Sequence, residues 1–377
     1  MTNFGQSAPF TVGVEEEFQI IDPSTGQLMS RIDEVLGRAH GDYKENIKSE
    51  LFQSVVETAT DICADIGEVR EEIVRLRGGL FDLMEGRGYT IAAAGTHPFA
   101  EWKEQDVTED ERYHGLVEDM QWAAERELIF GQHVHVAVQN PPQAIYVSNW
   151  IRPFLPVLLA LSVNSPFWRG ELTGLKSTRI RIFDSLPRTG IHRTFEDFPD
   201  FLRTVQRLKD GGSIEDITKI WWDVRPRPDL GTVEVRIADL PTTVEESVAL
   251  AALTQALVVR LARAHDQGEP PPLEHDLELI QENRWRALRH GMDARLIQRA
   301  EGATEGFEDI DVAEAIASTL DMLGDIPAEF GLEEEIEVIR RIADSRRTGA
   351  LRQIKTYEEN GKEFLPVVRD MVERTRP

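Results

Sequence analysis

Gly131-Gln-His-Val-His-Val-Ala-Val138 alternates without a break: valines at 134, 136 and 138 are interleaved with His133 and His135. A period of two sends successive side chains to opposite faces of a β-strand, so one face is apolar and the other carries imidazoles. Three further stretches have the same design. In Gly13-Val-Glu-Glu-Glu-Phe18, Val12, Val14 and Phe18 share a face and Glu15 and Glu17 take the other, while Glu16 falls among the apolar side chains. In Gly231-Thr-Val-Glu-Val-Arg-Ile237, Val233, Val235 and Ile237 oppose Glu234 and Arg236. In Ser177-Thr-Arg-Ile-Arg-Ile182, Arg179 and Arg181 oppose Ile180 and Ile182, which predicts a fourth strand of this kind.

An antiparallel sheet with one solvated face explains alternation by itself. Such a face draws mainly on Thr, Lys, Ser and Gln, whereas these positions hold Glu, His and Arg. Carboxylates and imidazoles converging on one face suit divalent cations, and an oxygen-rich set favours Mg²⁺ or Mn²⁺ over zinc. Arginines beside them suit a carboxylate or a phosphate, and the combination is the equipment of phosphoryl transfer. The sequence has no Walker A loop, kinase glycine loop or Rossmann fingerprint, so a nucleotide is expected on the sheet itself. Glu50 and Glu57 add to the set. A helix would place both on one side, but the β-branched content of 55–60 favours a strand interrupted by a bend. His97, in Gly95-Thr-His-Pro98, falls in a turn.

Around these strands, helical periodicity predicts helices over 67–87, 107–130, 145–163, 198–209, 244–267, 273–291, 312–323 and 333–344. After Gly268-Glu-Pro-Pro-Pro272 the strand signals vanish and helix dominates to the end. The predicted class is α+β: an antiparallel or mixed sheet whose functional face carries the active site, helices on its other face, and a helical C-terminal third over 273–377. A length of 377 residues admits one large domain or two intimate ones.

A net charge of −25 argues against nucleic acid or an anionic membrane as partner, since both need clustered positive charge. The apolar run near Leu155–Leu161 is interrupted by prolines and too short to span a bilayer. Met1 to Phe10 has neither a basic start nor an apolar core, so cytoplasm is the expected location. Cys63 is the only cysteine, which excludes an intrachain disulfide and is read as a small buried apolar residue. The residues alone point to metal and phosphate chemistry and leave open a metal-dependent amidohydrolase using His133, His135 and the glutamates, or a sensor that binds Mg-ATP without turnover.

The chain resembles the glutamate–cysteine ligase type 2, or carboxylate–amine ligase, family, whose relatives share a glutamine-synthetase-like catalytic sheet. The likeness runs through the strands above, Glu50-Leu-Phe-Gln53 with Val56-Glu-Thr58, Ala94-Gly-Thr-His-Pro-Phe99, Arg112-Tyr113 and Asn164-Ser-Pro-Phe-Trp-Arg-Gly170. It continues in Trp222-Asp-Val-Arg-Pro226, Glu282-Asn-Arg-Trp-Arg-Ala287 and His290-Gly291. Covering nearly the whole chain, it implies a single catalytic domain over 1–377. It further implies that Glu15, Glu17, Glu50, Glu57, His133 and Glu234 hold magnesium around ATP phosphates, with Glu15, Glu17, Glu234 and Arg236 facing the nucleotide. Arg236 resembles the arginine that stabilises the transferring phosphoryl group, and Arg181, with Arg179 as the alternative, a substrate-side arginine. The implied reaction joins glutamate to an amine, cysteine first, through an acyl phosphate. The implied partners are therefore small molecules, and a sheet with exposed edges is compatible with a homodimer.

Overall fold

The protein is described by a computed structural model covering residues 2–273, 276–299 and 306–377. Its centre is a seven-stranded, wholly antiparallel sheet: β1 (Val12–Ile21), β2 (Ile47–Ser49), β3 (Val55–Ala59), β4 (Thr90–Ala92), β5 (Gly131–Ala137), β6 (Val224–Arg227) and β7 (Thr232–Asp239). The order across the sheet is β6-β7-β5-β1-β3-β2, and β4 extends the β5 side of β1. Pro226 is tolerated because β6 is an edge strand, where a missing N–H breaks no ladder on the open side.

The apolar face carries Val12, Val14, Val134, Val136, Val233, Val235 and Ile237, all buried. Against it lies the helix Val244–Gln267, begun by Thr243, whose hydroxyl accepts from the Glu246 N–H, and ended by Gly268 in the left-handed region. This helix is apolar enough to cross a bilayer, yet 89% of its most apolar window is buried inside the fold, so it serves as the core helix. Each such buried aliphatic contributes about 1.5–3 kcal/mol. Ile280, Ala287, Leu296, Ile316, Ile336 and Ile339 belong to the same core, so the C-terminal third packs on the sheet layer.

Glu16, the residue out of pattern, is explained by this layer. It lies on the apolar face, pairs with the fully buried Arg77 of the helix Ile66–Met84, and accepts a hydrogen bond from Ser247. Arg77 spends its remaining donors on the carbonyls of Pro241 and Thr242. The pair ties sheet, helix and the start of the core helix together.

Several expectations are corrected. Ser177–Ile182 is not a strand: Ser177 caps a short helix, Thr178–Phe183, by accepting from the Ile180 N–H. Six residues of alternation are too few to separate the periods, and only Arg181 of this helix is exposed. Strand signals do not end at 273, because Arg295–Arg299 and Phe307–Asp311 form an antiparallel hairpin. The helix predicted over 107–130 is Glu111–Met120 plus a single turn, broken at Gln121, whose φ of 50 is left-handed. That predicted over 145–163 splits into Pro141–Trp150 and Leu155–Ser162 at Pro153 and Pro156. Helices over Ile32–Arg38, Gly349–Glu359 and Phe364–Thr375 join those predicted.

Candidate active site

Strand register writes the site as rows. Glu15 stands opposite His133, Glu17 opposite Glu57, Glu57 opposite Lys48, and Glu234 lies between His135 and Arg225. All project from the face opposite the core. A bulge between Val235 and Ala238 sets Arg236 and Ile237 against the single residue His133. The extra residue shifts the register there, next to the site, where bulges commonly re-aim side chains.

The face opens into a cavity of about 610 Å³. Its floor is Glu15, Glu17, Glu57, His133, Arg225, Arg227 and Arg236. One wall is Glu50, Arg112 and Tyr113, a second is Glu127, Ile129, Arg179, Phe183 and Leu186, and a third runs from Glu215 to Trp221. Thr108 holds the Glu50 carbonyl at 2.6 Å and Tyr113 holds that of Ser49 at 3.0 Å, which fixes the bend between β2 and β3.

Two groups of three potential ligands form within this face: Glu15, His133 and Glu234, and Glu17, Glu50 and Glu57, with one donor atom from each lying within 4.8 Å of the others in its group. These are the six residues named from the sequence. His133 Nδ1 lies 3.0 Å from Glu15, and its Nε2, 3.9 Å from Glu17, is buried with no hydrogen-bond partner among the described residues; His135 Nε2 is likewise unpartnered among them, 3.7 Å from Glu15 and 3.9 Å from Glu234. Buried ring nitrogens left open among carboxylate oxygens fit a cation.

The two groups differ electrically. Burial raises the Glu15 carboxyl, but hydrogen bonds and charge from His133 and His135 outweigh it and hold it well below the usual range. Burial also opposes ionisation of Glu234, yet Arg225 and Arg236 overcome it. Burial and Arg236 push His133 below its usual range, against the pull of Glu17 and Glu15. In the other group burial pushes Glu17, Glu50 and Glu57 upward, Glu57 most, because Glu15, Glu50 and Glu17 surround it and Lys48, at 3.9 Å, is its main relief. Three crowded carboxylates whose burial outweighs the charge of Lys48, Arg112, Arg179 and Arg236 call for a further cation to stay ionised together. Among the two groups, this one has the stronger demand for a metal.

Glu234 is fully buried rather than solvent-accessible as its strand pattern suggests. Its oxygens accept from Arg225 at 2.7 Å, Arg227 at 3.1 Å and Arg236, so in this geometry it anchors three arginines. Arg236 lines the cavity with its Nε buried and unpartnered. The two arginines of the capped helix part company. Arg179 lines the cavity beside the carbonyl of Arg236, at 3.3 Å, whereas Arg181 is exposed, bonds Asp184 at 3.2 Å and lies outside the cavity lining. Helical spacing, not strand alternation, separates them, and of the two only Arg179 lines the cavity. His97 is structural: buried, its Nε2 donating to Gly26 and its Nδ1 accepting from Ala100. Arg225, Arg227, Lys48 and Glu127 were given no role from the sequence. For the first two a signal existed, the same i, i+2 spacing in Val224–Arg227; for Glu127 there was none.

The sheet face sets two potential cation sites beside arginines, and likeness to known proteins places the chain among the ATP-dependent ligases. Residues 11–364 match the profile of glutamate-cysteine ligase family 2. A chain from Sorangium cellulosum carrying the provisional name glutamate–cysteine ligase 2 is 44% identical over 97% of this chain and 96% of its own length. One from Herpetosiphon aurantiacus, of the same provisional name, is 41% identical over 97% and 93%. The solved structure of glutamate–cysteine ligase from Francisella tularensis in complex with AMP superimposes with a TM-score of 0.69 at 13% identity, covering 98% of this chain and 90% of that one. The chain belongs to glutamate-cysteine ligase family 2.

Proposed function

We propose that this protein forms an amide between a carboxyl group of glutamate and an amine, cysteine being the first amine to test, with conversion of ATP to ADP and phosphate. The observation that carries the reading is the convergence of two three-residue ligand groups and Arg236 on the same side of the sheet. Glu15 with His133, and Glu17 with Glu50 and Glu57, are the residues that would hold Mg²⁺ or Mn²⁺. Bound there, such cations supply charge neutralisation for nucleotide phosphates.

The remaining work falls to the chain's own groups. Arg236, fixed by Glu234, presents a guanidinium to the phosphoryl group as the glutamate carboxylate attacks it, and Arg225 and Arg227 keep that side of the floor positive. The products of this step are an acyl phosphate and ADP. Arg179 faces the substrate side. The amine then displaces phosphate from the acyl carbon, and no nucleophilic side chain is needed. Burial pushes the Cys63 thiol up to about 11, consistent with a purely structural role.

The test is ADP release with glutamate against a panel of amines. ADP is expected only when carboxylate and amine are both present. A hydrolase would release none, and a sensor would bind Mg-ATP without releasing any; either result overturns the reading.

A further inference from the structure

Glu127 stands at the rim of the cavity with no assigned task. It follows the turn after Gln121, and its Oε1 is buried with no hydrogen-bond partner among the described residues. Among the described residues no arginine or lysine pairs with it directly, Arg179 and Arg126 acting only through space. A buried carboxylate oxygen without a donor is costly, and native proteins rarely keep one unless a ligand completes it. Burial pushes this carboxyl up to about 8, the response of a group that lacks a cationic partner.

Its surroundings are unlike the rest of the cavity. Ile129, Phe183 and Leu186 form one apolar cluster, Trp221 packs against it, and all four line the same cavity as Glu127. The charged floor and the Lys48 and Arg112 side suit carboxylates and phosphates. This corner suits an ammonium attached to an apolar body: the carboxylate takes the N–H groups and the wall takes the carbon skeleton.

We infer that Glu127 receives the amino group of the amine substrate and that the wall of Ile129, Phe183, Leu186 and Trp221 selects a small to medium apolar side chain, a class that includes cysteine. The inference rests on the ligase reading and names the second substrate of that site. The rival occupant is the ammonium of glutamate itself, whose side chain ends in a second carboxylate rather than in the apolar body that Ile129, Phe183 and Leu186 suit.

The experiment measures ADP release by the full chain with glutamate, Mg-ATP and amines graded from glycine through cysteine to leucine and phenylalanine. For wild type, kcat/KM should rise from glycine to the apolar members. Glu127→Gln should raise KM for every amine by roughly 10- to 100-fold, the size of a lost charge-assisted hydrogen bond, with KM for glutamate and ATP unchanged. Leu186→Ala should weaken only the larger apolar amines, which keeps the inference testable if the first variant misfolds. A rise in KM for glutamate instead, or an unchanged amine profile in both variants, overturns it. Wild type inactive with every amine would overturn the ligase reading instead.

Discussion

Glu16 and Arg77 meet at 2.6 Å beneath the sheet, on the face away from the cavity, with side chains almost wholly excluded from solvent. Glu15 and Glu17, one residue to either side, point the opposite way into the site. The pair therefore fixes the strand that aims both functional carboxylates. Removing one partner strands a buried charge, which costs about 3–5 kcal/mol. Glu16→Gln should lower the unfolding free energy by that order in urea titration, and an Arg77→Met, Glu16→Met double variant should recover a large part of it. A loss below about 1 kcal/mol in the single variant would remove the pair from this role.

Gly131 lies directly against the guanidinium of Arg179. A Cβ there would sit 2.2 Å from Arg179 Nη2 and 2.6 Å from its Cζ, and the Gly131 N–H donates to Glu17. Gly131→Ala should displace the guanidinium and lower kcat/KM on the order of 100-fold, the size of losing one preorganised donor, with circular dichroism unchanged. Near-normal turnover would show that Arg179 does not face the substrate.

The crowding of Glu17, Glu50 and Glu57 gives a metal-free readout. Because Glu57 is held well above its usual range by burial and by Glu15, Glu50 and Glu17, Glu57→Gln relieves repulsion and removes a ligand at once. Without divalent cation the variant should melt at or above the wild-type temperature. The rise in melting temperature that Mg²⁺ gives the wild type should shrink in the variant, as expected when a ligand binds the folded state less tightly. An equal Mg²⁺ response in both proteins would exclude Glu57 from the ligand set.

The strand alternation made the rows of the site legible, because a period of two survives any context that buries one face. Glu15, Glu17, His133, His135, Glu234 and Arg236 were all readable that way, whereas the bend between Glu50 and Glu57 showed in the β-branched content of 55–60. Ser177–Ile182 failed for the same reason that the others succeeded: its alternation was real but short, and a cap serine decided for helix. The bulge at Arg236 and the open carboxylate of Glu127 left no local trace, since each exists only through the partner strand or the cavity that surrounds it.

Acid stability isolates another part of the fold. His192 is buried between Ser148 and its own chain, its Nε2 3.0 Å from the Ser148 hydroxyl and its Nδ1 donating to the Arg193 carbonyl at 2.6 Å. Burial lowers it to about 3, and burial lowers His97 to about 4. An unfolded histidine titrates near 6.5, so below that pH the unfolded chain takes up a proton that the folded state refuses. Above pH 6.5 the effect vanishes; below it, stability falls as pH drops toward the folded value. Between pH 7 and pH 5 each buried histidine should cost about 2 kcal/mol. The raised carboxyls of Glu17, Glu50 and Glu57 act in the opposite sense, since acidification relieves their repulsion, so the wild-type curve alone mixes the two. The difference between wild type and His192→Gln separates them. That difference in unfolding free energy should shrink by about 2 kcal/mol on going from pH 7 to pH 5, and a difference that stays constant over this interval would mean that His192 is protonated in the folded protein.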